Sequence, residues 1–220
     1  MVIPAYNEET IIGKVIMDVL KVVHNIIVID DGSSDNTVKK LLDYPVTLLK
    51  HPINLGQGAA LKTGIDYALT QSVNFIVTFD ADGQHSPEEI PALVDICQTG
   101  GYDVVLGSRF VKGGKAVSIL PERQLMLKLA TWFTHLTTGL SITDTHNGFR
   151  VFTKKAASQI QINQNGMAHA SEILSQIARL KLKYTEAPVT VRYTEYSMKK
   201  GQSTWNMINI LWDMISEKIK

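Results

Sequence analysis

The chain has 220 residues, of which 45% are hydrophobic and 20% charged, which is enough apolar content for one sizeable core and too much for a disordered segment. Its formal net charge of +1 excludes a global electrostatic pull toward nucleic acid, so any anion-binding capacity must be local. A single cysteine, Cys97, excludes an internal disulfide; its place in the apolar pattern Ile90, Leu93, Val94, Cys97 predicts a buried thiol in a reducing compartment.

No apolar run reaches the roughly 20 residues of a membrane-spanning helix and no signal peptide is visible, so a cytoplasmic chain is expected. Val2-Ile3-Pro4 follows Met1 directly and predicts a very short first strand, as in an abbreviated copy of a longer chain. Asn7-Glu8-Glu9-Thr10 then reads as a helix start, with Ile11, Ile12, Val15, Ile16, Val19 and Leu20 at helical spacing. Ile26-Ile27-Val28-Ile29 is a buried strand closed by Asp30-Asp31-Gly32-Ser33-Ser34-Asp35, and Thr37, Val38, Leu41 and Leu42 suggest a second helix. A strand at Val46-Thr47-Leu48-Leu49 leads through Asn54-Leu55-Gly56-Gln57-Gly58 into a third helix with Ala60, Leu61, Ile65, Ala68 and Leu69. Gly56 and Gly58 lack the spacing and the Lys-Ser/Thr ending of a P-loop, so a tight turn and close helix packing are expected there.

Residues 75–79 form a strand rich in β-branched and aromatic side chains that runs directly into Asp80-Ala81-Asp82-Gly83-Gln84-His85. Two hard carboxylates so close suit Mg²⁺ or Mn²⁺ when phosphates complete the shell, or form a solvated turn; Gly83 stands in the wrong place for an EF-hand loop. Ser86-Pro87-Glu88-Glu89 predicts a serine N-cap, a proline at the first helical position and a capping-box glutamate. Strands alternating with helices imply a mainly parallel α/β sheet covered on both faces, which binds ligands at the carboxyl ends of its strands. Pro4-Ala5-Tyr6-Asn7-Glu8, Asp30-Asp31-Gly32 and Asp80-Ala81-Asp82 should therefore meet at one edge.

Residues 103–110 read as another strand ending on Arg109, followed by the glycine-rich Val111-Lys112-Gly113-Gly114-Lys115. Pro121-Glu122-Arg123 opens a helix bearing Leu125, Leu129, Trp132, Phe133 and Leu136; a cation in a first turn gains nothing from the helix dipole, so Arg123 suits an external anion or a solvated surface. Asp144-Thr145-His146-Asn147-Gly148-Phe149-Arg150 follows the turn at Gly139, with Asp144 expected to be loop-held and accessible. A helix with His169, Glu172, Ile173, Ile177 and Leu180 and a strand over residues 184–193 come next. Trp205, Ile208, Trp212, Ile215 and Ile219 form one apolar helical stripe that suits packing, self-association or peripheral docking on a membrane.

Val2-Ile3-Pro4-Ala5-Tyr6-Asn7-Glu8-Glu9, Val28-Ile29-Asp30-Asp31-Gly32-Ser33-Ser34-Asp35 and Asp80-Ala81-Asp82-Gly83-Gln84-His85 together resemble family 2 glycosyltransferases of the GT-A fold. The resemblance implies that Pro4, Tyr6, Glu8, Ile29, Asp31, Asp80, Ala81 and Asp82 touch a UDP- or GDP-sugar donor, and that Asp80, Asp82 and Gln84 surround Mg²⁺ or Mn²⁺ on its diphosphate. Gly107-Ser108-Arg109-Phe110, Gly113-Gly114 and Pro121-x-Arg123 resemble the acceptor segment of dolichol-phosphate mannosyltransferases and bacterial polyprenyl-phosphate transferases. That likeness implies that Arg109 and Arg123 grip an acceptor phosphate, that the glycine-rich segment is mobile and that Asp144 faces the acceptor side. Glu172 matches a family acid on that side, and Lys199 or Lys200 stands in for the arginine replaced by Met198.

The expected organisation is a GT-A unit over residues 1–193, with a donor and metal half to residue 110 and an acceptor half beyond it, then a basic loop and amphipathic helix over 194–220. The expected activity is inverting hexose transfer to a polyprenyl phosphate. Transfer to a saccharide hydroxyl with Asp144 as base is the alternative, and a nucleotide-binding protein without turnover is the third reading.

Overall fold

The computed structural model describes residues 1–194 and Tyr196. A seven-stranded sheet carries the molecule. In chain order its first strands and their connecting helices are β1 (Val2–Ala5), α1 (Ile12–Leu20), β2 (Ile27–Asp30), α2 (Thr37–Leu41), β3 (Thr47–Lys50), α3 (Gln57–Thr70) and β4 (Phe75–Thr78). A 3₁₀ turn at Pro87–Glu89 leads into α4 (Ile90–Thr99) and β5 (Val104–Ser108). There follow β6 (Lys115–Val117), α5 (Pro121–Thr138), β7 (Arg150–Thr153), α6 (Lys154–Gln159), α7 (His169–Arg179), β8 (Tyr184–Pro188) and β9 (Thr190–Arg192).

The large sheet runs β3-β2-β1-β4-β7-β5-β8, and β6 pairs with β9 in a small second sheet. Every pairing is parallel except those of β7, which lies antiparallel between β4 and β5. Successive side chains of a strand point to opposite faces, and here both faces are covered. Ile3, Val28, Val77, Val105 and Val151 pack with Ile12, Ile16, Leu93 and Cys97 on one side, while Val2, Ile29, Ile76, Val104 and Phe152 pack with Leu61, Ile65, Ile173 and Ile177 on the other. That double burial accounts for strands that read as continuous apolar runs.

β1 spans four residues, as do β2, β3 and β4. Two local expectations are corrected. Ser86 makes no side-chain cap and its hydroxyl turns to Glu88 at 2.6 Å, while Glu89 accepts from the Thr190 backbone at 3.0 Å with both oxygens, so no capping box forms. The strand expected over 184–193 divides: Pro188 ends β8 beside Ser108, Val189 donates to the Ser108 carbonyl, and β9 leaves for the small sheet. Cys97 is buried as expected, and its thiol donates to the Tyr102 carbonyl at 3.2 Å. Among the described residues no helix is long and apolar enough to cross a membrane. Lys199, Lys200 and the stripe from Trp205 to Ile219 lie outside the described residues.

Candidate active site

The carboxyl ends of β1, β2, β4 and β5 share one edge of the sheet. Because β7 runs the other way, its beginning reaches that same edge. A cavity of about 510 Å³ opens there, lined among others by Pro4, Tyr6, Glu8, Asp31, Asp80, Ala81, Asp82, Gln84, Arg109 and Arg123. Three clusters far apart in sequence thus meet as expected.

On the β1–β2 side the loops hold one another. Asn7 donates its backbone N–H to the Ser33 hydroxyl at 2.9 Å and accepts from the Ser34 N–H at 2.8 Å. Asp31 is buried and accepts from the Leu55 and Gly56 N–H groups at 3.0 and 2.7 Å and from His51 Nδ1 at 2.7 Å. This carboxylate therefore fixes the 54–56 turn as well as lining the cavity. Gly56 has φ +104, a conformation that side chains resist. Tyr6 is 42% exposed and offers a ring at the rim, while Glu8 accepts from the Tyr196 hydroxyl at 2.6 Å. Ile29 does not line the cavity; its side chain packs into the core against α3, close to where a Cβ on Gly64 would sit, because its position in β2 faces inward.

Asp80 accepts from Gln57 Nε2 at 3.0 Å and lies 3.5 Å from His85 Nε2. Burial works against its charge, yet His85, Arg150 and His169 together hold its pKa below the usual carboxylate value. Asp82 Oδ1 accepts from the Gln84 N–H at 3.0 Å; burial and then the Asp80 charge push its pKa up to about 6. Two crowded carboxylates of this kind, one strained toward neutrality by the other, form a donor set that fits a hard divalent cation whose remaining ligands come from a diphosphate. Among the described residues no three His, Cys, Asp or Glu side chains cluster to hold a metal alone. Gly148 makes the crowding sterically feasible: a Cβ there would stand 2.2 Å from Asp80 Oδ2.

The acceptor-side residues behave differently from expectation. Asp144 is loop-held but not accessible, its side chain being 0% exposed. Its Oδ2 accepts from Arg109 Nε at 2.6 Å and from the Arg109 N–H at 3.1 Å, and its Oδ1 from Arg109 Nη2 at 3.0 Å. Arg109 also donates to the Tyr193 hydroxyl and to the His146 carbonyl. Burial disfavours the Arg109 charge, but Asp144 and Tyr193 outweigh it and raise the pKa. Fully buried and paired with Arg109 through both oxygens, Asp144 is poorly placed to take a substrate proton. Glu172 is also corrected: its carboxylate accepts from the Asn163 and Gln164 N–H groups at 2.9 to 3.1 Å, away from the cavity. It holds the loop whose Asn165 carbonyl accepts from Gly58 N–H at 2.7 Å. Arg123 lines the cavity and stacks 4.9 Å above the Tyr193 ring, and its Nε has no hydrogen-bond partner among the described residues.

The sequence reading assigns no site role to His146, His169 or Arg150, yet all three line the cavity. His169 Nδ1 lies 2.8 Å from the Gly166 carbonyl, so it carries the proton and leaves Nε2 as an acceptor. Burial lowers the pKa of both histidines to about 4. The signal for Arg150 was an arginine opening an otherwise apolar strand, Arg150-Val151-Phe152.

With this geometry in view, residues 1–161 match the model of glycosyl transferase family 2. The chain belongs to that family. It is 32% identical to a UDP-N-acetylglucosamine–dolichyl-phosphate N-acetylglucosaminyltransferase of Methanococcus voltae, over 100% of this chain and 95% of that one. It is 29% identical to an undecaprenyl-phosphate mannosyltransferase of Micrococcus luteus, over 86% and 81% of the two chains. In fold it is similar to glucosyl-3-phosphoglycerate synthase of Mycobacterium tuberculosis, solved with Mn²⁺ and UDP-glucose: TM-score 0.75, 20% identity, covering 97% of this chain and 75% of that chain. The family 2 chain thus has the GT-A architecture, with its crowded Asp80–Asp82 pair at the carboxyl edge of the sheet.

Proposed function

We propose that this family 2 enzyme transfers a hexose from a nucleoside-diphosphate sugar to a polyprenyl phosphate, with inversion. The observation that carries the reading is a cavity that brings Asp80 and Asp82 together with Arg109, Arg123 and Arg150, while Asp144, the expected base, is buried and engaged by Arg109. Tyr6, Pro4 and Glu8 contact the nucleoside, with Asp31 holding the turn beside it. Asp80, Asp82 and Gln84 hold Mg²⁺ or Mn²⁺, a role supported by the Mn²⁺ in the mycobacterial neighbour. A divalent cation there supplies charge neutralisation to the departing diphosphate.

The acceptor phosphate carries its own nucleophile. Its second pKa is about 6, so an oxygen is ionised at neutral pH and needs no general base. That oxygen forms the new bond to the anomeric carbon as the bond to the nucleoside diphosphate breaks. The cations position the acceptor, and binding in a defined pose lowers the barrier. The named relatives act on lipid phosphates, and an acceptor with such a tail is membrane-held, so we place the protein on the membrane surface as a peripheral protein.

The test is nucleoside-diphosphate release from UDP-, GDP- and dTDP-sugars with Mg²⁺ or Mn²⁺, with and without polyprenyl phosphate. Release that rises with the lipid, with sugar passing into the organic phase, is the expected result. Release indifferent to lipid phosphate but dependent on a saccharide overturns it.

A further inference from the structure

Three arginines reach the cavity, and their donors are in different states. Arg109 is engaged by Asp144, Tyr193 and the His146 carbonyl through every one of its side-chain nitrogens. Arg150 is 2% exposed, and both its Nε and Nη1 lack any hydrogen-bond partner among the described residues. Arg123 Nε is in the same condition. A buried guanidinium with unmet donors is unfavourable by itself, and proteins rarely keep one without a ligand to receive it.

The surroundings define what would fit. Asp80 and Asp144 act on Arg150 through their charge, but Asp144 is engaged by Arg109 and Asp80 by Gln57 and His85. His146 lines the same cavity as Arg109, Arg150 and Arg123; burial keeps its ring neutral, and its Nδ1 has no hydrogen-bond partner among the described residues. This corner offers several unmet polar donors, on Arg123 and Arg150, beside a site that the Asp144–Arg109 pair leaves otherwise neutralised. A planar guanidinium with two unpartnered nitrogens matches an anion with several oxygens, phosphate above all.

We infer that Arg150 is a phosphate-binding residue of this cavity and acts with Arg123. The inference rests on the transfer reading above, which supplies two phosphates: the donor's diphosphate and the lipid monophosphate.

The deciding experiment follows the arginine Nε–H resonances of the wild-type protein, with Arg150 assigned through its backbone. The probes are UDP and GDP with Mg²⁺, farnesyl phosphate, and uridine, guanosine and farnesol as phosphate-free controls. The Arg150 signal is expected to move with a phosphate probe and not with the controls. Movement with the nucleotide alone assigns the donor diphosphate, and movement with farnesyl phosphate alone assigns the acceptor. Calorimetry on Arg150→Gln should then show roughly 10- to 100-fold weaker binding of that probe, with Arg150→Lys recovering part of it. A stationary Arg150 signal at saturation, or equal weakening of phosphate and phosphate-free ligands, overturns the inference. Sugar transfer by the wild type is measured alongside. Failure of that transfer with a moving Arg150 signal sinks the transfer reading alone, and transfer with a stationary signal sinks only the role of Arg150.

Discussion

Asp144 and Arg109 form a buried pair in which each charge is acceptable because the other is present. Removing one partner leaves the other desolvated and unpaired, which typically costs about 3–5 kcal/mol, whereas replacing both by apolar residues of similar volume is far milder. Asp144→Asn is accordingly expected to lower unfolding stability by that amount in urea titrations, and Arg109→Met with Asp144→Leu to restore most of it. Equal destabilisation by the single and double variants would refute the pairing account. The sequence placed both residues at the functional edge but could not reveal that they neutralise each other, since residues 35 apart meet only through the sheet. Glycine is the other decisive type. Gly148→Ala would drive a methyl against the Asp80 carboxylate, whose displacement by about an ångström should cut kcat/KM by about 100-fold. Donor affinity falling together with turnover, in a variant that still folds, is the expected pattern.

At the scale of elements, α5 shows what periodicity can and cannot tell. Its length and apolar content were legible, but which apolar face is buried depends on its neighbours. Leu127, Ala130 and Thr134 face the protein, while Leu125, Leu129, Trp132 and Leu136 form a stripe on the other side, with Trp132 63% exposed. Leu120, just before the helix, is exposed as well. The stripe starts within a turn of Arg123, which lines the cavity, so one helix presents a cation to the site and an apolar face to its surroundings. That arrangement suits a phosphate headgroup entering the site while its hydrocarbon stays in a bilayer. Leu129→Glu with Trp132→Glu should weaken binding to phospholipid vesicles by about 100-fold, taking about 1.5 kcal/mol for each buried side chain, and leave nucleotide binding intact. Unchanged vesicle binding would remove α5 from the membrane contact. The antiparallel β7 was less legible, because four apolar-rich residues do not announce their direction. Its reversal is what brings Arg150 to the site edge.

For the whole molecule, the site's polar groups are set into a two-faced apolar core, so their titration reaches global stability. The regular alternation of strand and helix made the α/β architecture legible, whereas the burial of His146 and His169 emerged only when distant segments packed. Burial lowers both histidines from 6.5 to about 4, so the unfolded chain takes up their protons first as pH falls. Their contribution is complete above pH 6.5 and is lost as pH drops toward 4, at about 3 kcal/mol each over the full window. Asp82 acts in the opposite sense. Its pKa is raised from 3.8 to about 6, so the folded state protonates first and gains stability as pH falls through 6. Two histidines against this carboxylate leave a loss from these three groups on the order of 2 kcal/mol between pH 7 and pH 5, and the Met1 amino group, lowered from 8.0 to about 6 by burial, adds to it in the same direction. Urea midpoints at the two values should differ accordingly, and His169→Gln should shrink the difference by removing one of the two opposing protons. Mg²⁺ should enlarge it, because a cation that favours ionised Asp82 removes the stability that this carboxylate gains in acid. A midpoint independent of pH over this range would mean that the histidines are not held neutral by burial.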